Sequence, residues 1–436
     1  MSASQCLILL AVLIIVQAQL TCKTRFGAHL ICTGGKEDYV LEKSLVSEKT
    51  NTTRIRLKSC KISDVDNEAL NNLTALKYLD LSRNKIQRLK VGVFDDTKQL
   101  IYLNLSYNQI TGFPLGLFDQ AAHITHLDLK GNKINKLELG IFDKMNRLKY
   151  LDLSDNDFAG RELNPNLFNQ SPHITFIDFS RNDMMAAPDN LLHAFQYLEV
   201  LKLDGCFLNE VPGFAIKPNL RTLKQLVLST NQISNLRNET LFVNLENLEF
   251  LDLSHNIIGK FLKEKKKKRK KRKKNIDGDI FKPLRKLQKI VLNNNKVKIM
   301  PDTLFRNMPK LTEIDLSNNK IEEVPVNAFK GSPLRHLYLS NNKITYLADN
   351  FCLELLNSGG KLKKFTFDSN PWQCACLTEL LKEVKRLGIE YDGAEFNGKY
   401  VVCVTSSGFS CARDPNVIDA YVDMYRELLN SEVSVF

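Results

Sequence analysis

The sequence predicts a solenoid, a stack of short repeated units sharing one continuous core, with a crosslinked cap at each end. Three observations carry this. A motif of the form LxxLxLxxNxI recurs through most of the 436 residues. Cysteines gather just before and just after the repeats. The chain is 43% hydrophobic and 25% charged, a composition that can bury a core and is too apolar for a disordered chain.

The elements follow in chain order. Residues 7–16 (LILLAVLIIV) form an apolar run, followed by Val16-Gln17-Ala18 with the small-residue spacing of a cleavage site. This reads as a secretory signal peptide over residues 1–18. The run is too short for a bilayer, which needs about 20 apolar residues, so no membrane span is expected and the mature chain is expected to be secreted. Residues 19–51 are assigned to an N-terminal cap.

Thirteen motif copies follow. The regular ones start at Leu76, Leu100, Ile124, Leu148, Ile174, Leu198, Leu223, Leu248, Leu287, Leu311 and Leu334, with degenerate copies at Thr52 and Leu362. Successive starts lie 23 to 28 residues apart, except for 39 between Leu248 and Leu287. Within each copy the LxL pair reads as a short strand with both leucines inward. The Asn at the ninth position is placed to satisfy buried backbone amides of the neighbouring loop. A phenylalanine column (Phe94, Phe118, Phe142, Phe305, Phe329) lies ten residues beyond the Asn. One copy cannot bury these faces alone, whereas a stack can.

The long gap contains a basic insertion at residues 262–276. Its core, residues 263–274, reads KEKKKKRKKRKK and holds +10 of the net charge of +12. The rest of the chain is therefore nearly neutral. Three readings of this block stay open. Lys268, Arg269, Lys270, Lys271 and Arg272 can bind sulfated glycans by charge density. Arg269-Lys270-Lys271-Arg272 also fits the R-x-K-R pattern cut by secretory proprotein convertases in exposed loops. Or the block is an inert expansion, since loops tolerate insertions cheaply. In a secreted chain no nucleic-acid partner is expected.

These repeats resemble the extracellular leucine-rich repeat family over residues 52–372, including the ectodomains of Toll-type receptors, Slit and insect adhesion proteins. The resemblance implies an α/β-type curved horseshoe, with a parallel β-sheet on its concave side and irregular or short-helical segments on its convex side. It also implies a C-terminal cap over residues 373–411, with Cys374 paired to Cys403, Cys376 to Cys411, and Trp372 covering the last repeat. Cys22 and Cys32 are expected to close the N-terminal cap, although the family usually has four cysteines there. Cys60 and Cys206 take the Asn position of their repeats and Cys352 the Phe column, so all three are expected to be buried thiols. A tail over residues 412–436 starts with Asp414-Pro415, a helix-start pair. It continues with Val417, Ile418, Tyr421, Met424, Tyr425 and Leu428 at helical spacing, which predicts an amphipathic helix packed on the cap.

Two columns on the outward strand face are candidate partner-binding residues. One reads Tyr78, Tyr102, His126, Tyr150 and Phe176, the other Asp80, Asn104, Asp128, Asp152 and Asp178; the candidates are Tyr78, Asp80, Tyr102, Asp128, Tyr150, Asp152, Phe176 and Asp178, and the open alternative is an unused face, since YLDLS is close to the family's own consensus. Rigid aromatics beside polar groups make good protein-binding anchors. Five N-x-S/T sequons, at Asn51, Asn72, Asn104, Asn169 and Asn238, are expected glycosylation sites in a secreted chain. The one at Asn104 falls within the candidate face. His126 and Asp128 alone are too few for a metal site, and no phosphate loop or nucleophile motif is present. No catalysis and no cofactor are expected. The resemblance implies recognition of an extracellular protein ligand or receptor, as in innate immunity, signalling or adhesion. The alternative is a matrix component held on sulfated glycans by the basic insertion. No oligomeric state is read from the sequence.

Overall fold

The structure, a computed structural model, describes residues 20–26, 28–34, 37–43, 49–234, 236, 240–259, 279–392, 401–405 and 410–433. The expected signal peptide, the basic insertion and Asn238 lie outside the described residues. The chain forms two compact units, one of Met1–Phe207 with Pro212–Thr222, the other of Leu208–Val211 with Leu223–Phe436. Both are solenoids of parallel strands.

In the first unit a hairpin opens the stack. Leu20–Arg25 pairs antiparallel with His29–Gly34, and Cys22 lies opposite Cys32, to which it is disulfide-bonded. His29–Gly34 then pairs parallel with Arg54–Arg56. Parallel pairing continues through Tyr78–Asp80, Tyr102–Asn104, His126–Asp128, Tyr150–Asp152, Phe176–Asp178 and Val200–Lys202. From Arg54–Arg56 onward each strand of this parallel series has three residues, and the register never slips within it. Residues at one motif position therefore stand side by side, one strand spacing of about 4.8 Å apart.

The second unit repeats the arrangement through Gln225–Val227, Phe250–Asp252, Lys289–Val291, Glu313–Asp315, His336–Tyr338 and Lys364–Thr366. A further strand, Glu390–Asp392, joins this edge from within the cap. No motif copy marks that strand in the sequence. The thirteen motif copies thus correspond to thirteen strands.

The core is built as the motif requires. Leu79, Leu81, Leu151, Leu153, Leu251 and Leu253 are each 0% exposed. The asparagines carry the backbone satisfaction. Asn84 Nδ2 donates to the carbonyls of Leu57 and Leu81 at 2.8 Å, while its Oδ1 accepts from the Cys60 and Ile62 amides at 2.8 and 3.2 Å. Asn108, Asn132, Asn156, Asn256, Asn295, Asn319 and Asn342 make the same two donations. Cys60 and Cys206 stand in for Asn with thiols that reach the carbonyls of Cys32 and Phe179 at 3.4 Å. Burial pushes these thiols up, Cys60 to about 11 and Cys206 to about 12. Cys352 is also buried and unpaired. The phenylalanine column stacks behind the strands, with Phe94 and Phe118 6.0 Å apart in the first unit and Phe305 and Phe329 6.0 Å apart in the second.

The C-terminal cap follows the expected pairing, Cys374–Cys403 and Cys376–Cys411. Helix α1 (Phe351–Asn357) precedes it, and α2 (Cys374–Leu387) carries two of the cysteines and ends at Gly388, whose φ of 65° suits a residue without Cβ. Trp372 is buried, and its indole N–H donates to the Phe367 carbonyl at 2.8 Å. Asp414-Pro415 opens a 3-10 turn, Pro415–Val417, in which Asp414 Oδ1 accepts from the Asn416 amide at 2.9 Å, and helix α3 (Ile418–Val433) follows it. The Tyr425 hydroxyl donates to the Val401 carbonyl of the cap at 3.2 Å. Ile418, Tyr421 and Val422 are buried, whereas Leu428 is 42% exposed, so only the first half of the apolar stripe is covered. Among the described residues no helix is long and apolar enough to cross a membrane.

Candidate functional site

The unbroken register of the first unit turns the aromatic column into a stack of rings. Tyr78 and Tyr102 lie 4.3 Å apart, Tyr102 and His126 4.4 Å, His126 and Tyr150 3.9 Å, Tyr150 and Phe176 4.2 Å. All four pairs are within 17° of parallel. Neighbouring rings cover one another's faces, the Tyr102 hydroxyl accepts from Asn104 Nδ2 at 3.3 Å, and the Tyr150 hydroxyl lies 3.5 Å from Asp152 Oδ2. Burial inside the stack pushes the Tyr78 hydroxyl up to about 12, raises Tyr150 further, and lowers His126 from its ordinary value.

Cations close the stack at both ends. The Arg54 guanidinium sits 4.5 Å from the Tyr78 ring centre, and Lys202 Nζ lies 5.1 Å from that of Phe176. The acidic column is closed in the same way, by Arg56 beside Asp80 and Lys202 beside Asp178, each at 3.7 Å. Arg54 and Arg56 go unnoticed when the columns are read only from Tyr78 onward. The signal was one repeat upstream, at the same two motif positions.

The carboxylates also work locally. Oδ1 of Asp80, Asp152 and Asp178 accepts the amide N–H two residues on, from Ser82, Ser154 and Ser180, at 3.0, 2.9 and 2.9 Å. Asn104 does the same for Ser106 at 2.8 Å. Asp128 accepts from the Lys130 amide at 3.1 Å. Burial raises its carboxyl to about 6, opposed by that amide and reinforced by nearby Asp152. Burial raises Asp178 too.

At the first of the two positions the strand face of the second unit has another chemistry, while at the other Asp252 and Asp315 accept from the Ser254 and Ser317 amides at 2.9 and 3.0 Å. Lys289 pairs with Glu313 at 2.8 Å, His336 Nδ1 lies 3.5 Å from Glu313, and Lys364 meets Glu390 at 3.0 Å and Asp392 at 3.8 Å. This unit also holds a groove of about 620 Å³ beside the cap, lined by Ile299, Met300, Tyr346, Leu347 and Arg413 among others.

A family model described as leucine rich repeat matches residues 50–110, 74–134, 122–184, 196–258, 269–321 and 309–357, which together make up most of the chain. The chain belongs to the leucine-rich repeat family. Two curated relatives come from Mus musculus. Podocan-like protein 1 is 36% identical over 103 residues, and podocan is 28% identical over 151 residues. These matches take in 23% and 33% of this chain but only 18% and 24% of the relatives' own lengths. Among solved structures, a Leptospira interrogans leucine-rich repeat protein, LIC12759, is 23% identical with a TM-score of 0.62, over 84% of this chain and 89% of that one. The LRIM1/APL1C complex is 20% identical with a TM-score of 0.60, over 91% of this chain and 67% of that one. At these identities the structural likeness is one of fold.

The sequons of this leucine-rich repeat chain divide by placement. Asn51, Asn72 and Asn169 are exposed. Asn104 is half-buried in the candidate face, with Oδ1 taken by Ser106 and Nδ2 donating to the Tyr102 hydroxyl at 3.3 Å. A sugar there would replace that last bond and project over the ring edges. Among the described residues no group of three or more His, Cys, Asp or Glu is placed to hold a metal.

Proposed function

We propose that the chain is a secreted, non-catalytic recognition protein that binds an extracellular protein through the strand face of its first unit. The carrying observation is the ring stack beside the carboxylate row, rigid and in register over consecutive repeats. A pre-ordered face loses little side-chain entropy on binding, and tyrosine edges offer both apolar contact and hydrogen bonds. Disulfides in both caps support an oxidising compartment. The LRIM1/APL1C complex gives a precedent for such a fold within a protein complex.

The test uses the full secreted chain as bait in extracellular fluid. A partner captured by the wild type should be held more than tenfold more weakly by Tyr102→Ala/Tyr150→Ala at unchanged melting temperature. Equal capture by the variant would place the partner elsewhere.

A second reading rests on the +10 charge of residues 263–274. It makes the chain a matrix component retained on sulfated glycans. Deleting residues 263–274 should then abolish heparin retention at physiological salt and leave stability unchanged. Two fragments split after Arg272 on a reducing gel would favour convertase cleavage instead.

A further inference from the structure

Among the described residues, one step of the first unit's strand face has no salt bridge of the kind that closes the carboxylate row at either end. Three carboxylates of the row are more than nine-tenths buried: Asp80, Asp152 and Asp178 are 5%, 7% and 6% exposed. Arg56 neutralises Asp80 and Lys202 neutralises Asp178. Asp152 has no cationic side chain within ion-pair distance among the described residues. Its Oδ1 is taken by the Ser154 amide and hydroxyl at 2.9 and 2.6 Å, while Oδ2 receives only a long 3.5 Å contact from the Tyr150 hydroxyl. Asp128, directly opposite on the adjacent strand, likewise forms no salt bridge among the described residues; the nearby Lys130 charge and the Ser106 hydroxyl favour its ionised form without offsetting its burial.

We propose that a lysine or arginine side chain of the bound protein enters this step and pairs with Asp128 and Asp152 together. The inference rests on the reading of this face as the partner site, and it names the chemistry of the contact. Lys202 shows the geometry on the same sheet: its ammonium serves Asp178 while lying against the Phe176 ring. At the central step the ring faces are covered, so an incoming stem runs along the edges of His126 and Tyr150 and the charge meets the carboxylates. A buried carboxylate without a counter-charge is costly, and two of them on neighbouring strands more so. A partner cation removes that cost on binding, which makes the contact both favourable and selective.

The contact is sensitive to acid. Asp128 is faced by Tyr102 and Asn104 on the preceding strand, by Tyr150 and Asp152 on the following one, and by His126 and Lys130 on its own segment. With its carboxyl raised to about 6, acidification from pH 7.5 to 5.5 protonates Asp128 and removes half of the receiving charge.

The test measures binding of a fluorescein-labelled hexa-arginine peptide to the full-length secreted protein by anisotropy at pH 7.5 and 5.5. Asp128→Asn/Asp152→Asn is compared with Asp252→Asn/Asp315→Asn, which changes the net charge equally. The fold tolerates an amide in the row, because Asn104 already occupies it with the same bonds to Ser106. The expected result is saturable wild-type binding that weakens at least fivefold at pH 5.5. The first variant should bind at least tenfold more weakly and without pH dependence, and the second within twofold of wild type. Undiminished binding by the first variant, or no saturable wild-type binding, overturns the inference. The captured protein partner separates the two readings. Loss of capture on Tyr102→Ala/Tyr150→Ala but not on Asp128→Asn/Asp152→Asn leaves the face standing and sinks the cation. Retained capture on the tyrosine variant sinks both.

Discussion

The two units use the same backbone device and arrive at different surfaces. In each, three-residue strands in unbroken register align residues of one motif position into columns. In the first unit the columns hold stacked rings and carboxylates, and among the described residues the central acids form no salt bridge. In the second the first of the two positions holds Lys289, Glu313, His336, Lys364 and Glu390, with salt bridges from Lys289 to Glu313 and from Lys364 to Glu390, while Asp252 and Asp315 at the other position accept from Ser254 and Ser317 as Asp152 does from Ser154. A neutralised ladder offers little to a partner, because each new ion pair must break an old one. The difference teaches that the leucine framework fixes where side chains stand, and the two outward positions decide whether a face is spent or available.

The largest expected effect tests what the units share. Leu153→Asp in the first unit and Leu251→Asp in the second each place a carboxylate at a position that is 0% exposed. Each should cost several kcal/mol and abolish secretion, since neighbouring repeats depend on the same interface. Secretion yield and melting curves check this. Normal behaviour of either variant would refute the register in its unit.

A smaller effect separates two acids within the first unit. Asp128, raised to about 6, disfavours its ionised form in the folded state. Between its ordinary value and about 6 the folded chain binds more protons than the unfolded one, so this group adds stability as pH falls through that window. Asp155 behaves oppositely. The Arg181 guanidinium holds its carboxyl below the usual range, so its contribution is present at neutral pH and lost on acidification. Asp128→Asn should therefore raise stability at pH 7.5 by on the order of 1 kcal/mol and flatten its pH profile. Asp155→Asn should lower it. Thermal melts from pH 4 to 8 read both.

The smallest effect is expected in the second unit. Glu313→Gln breaks a pair whose Lys289 is 41% exposed, and exposed pairs contribute about 0–1 kcal/mol. A larger loss would mean that the charge ladder is a structural necessity, and the contrast between faces would blur.

Much of this was legible in the sequence because one period governs everything. A constant spacing of LxL and Asn fixes strand, core and column at once, so the inward leucines, the Asn bonds and the buried Cys60 and Cys206 follow from position alone, whereas the C-terminal cap disulfides come from the resemblance to the family's cap. The aromatic and acidic columns are legible for the same reason. What a position cannot give is side-chain torsion. Whether Tyr102 turns its face outward or against His126 is decided by packing at about 4.8 Å between strands, and the structure chooses the stack. The use of Oδ1 of Asp152 to bind the Ser154 amide is likewise a matter of local geometry. The Glu390–Asp392 strand escaped notice because it carries no motif, and the exposed half of α3 because an apolar stripe does not state how far its partner surface extends.

The most direct measurement of the central claim sets the two faces against each other with one captured partner. Dissociation constants are compared for Tyr102→Ala/Tyr150→Ala in the first unit and Phe250→Ala/Lys289→Ala in the second, at matching strand positions. The account predicts more than tenfold weakening for the first pair and less than twofold for the second, with both variants folded. Equal weakening, or weakening confined to the second pair, would contradict it.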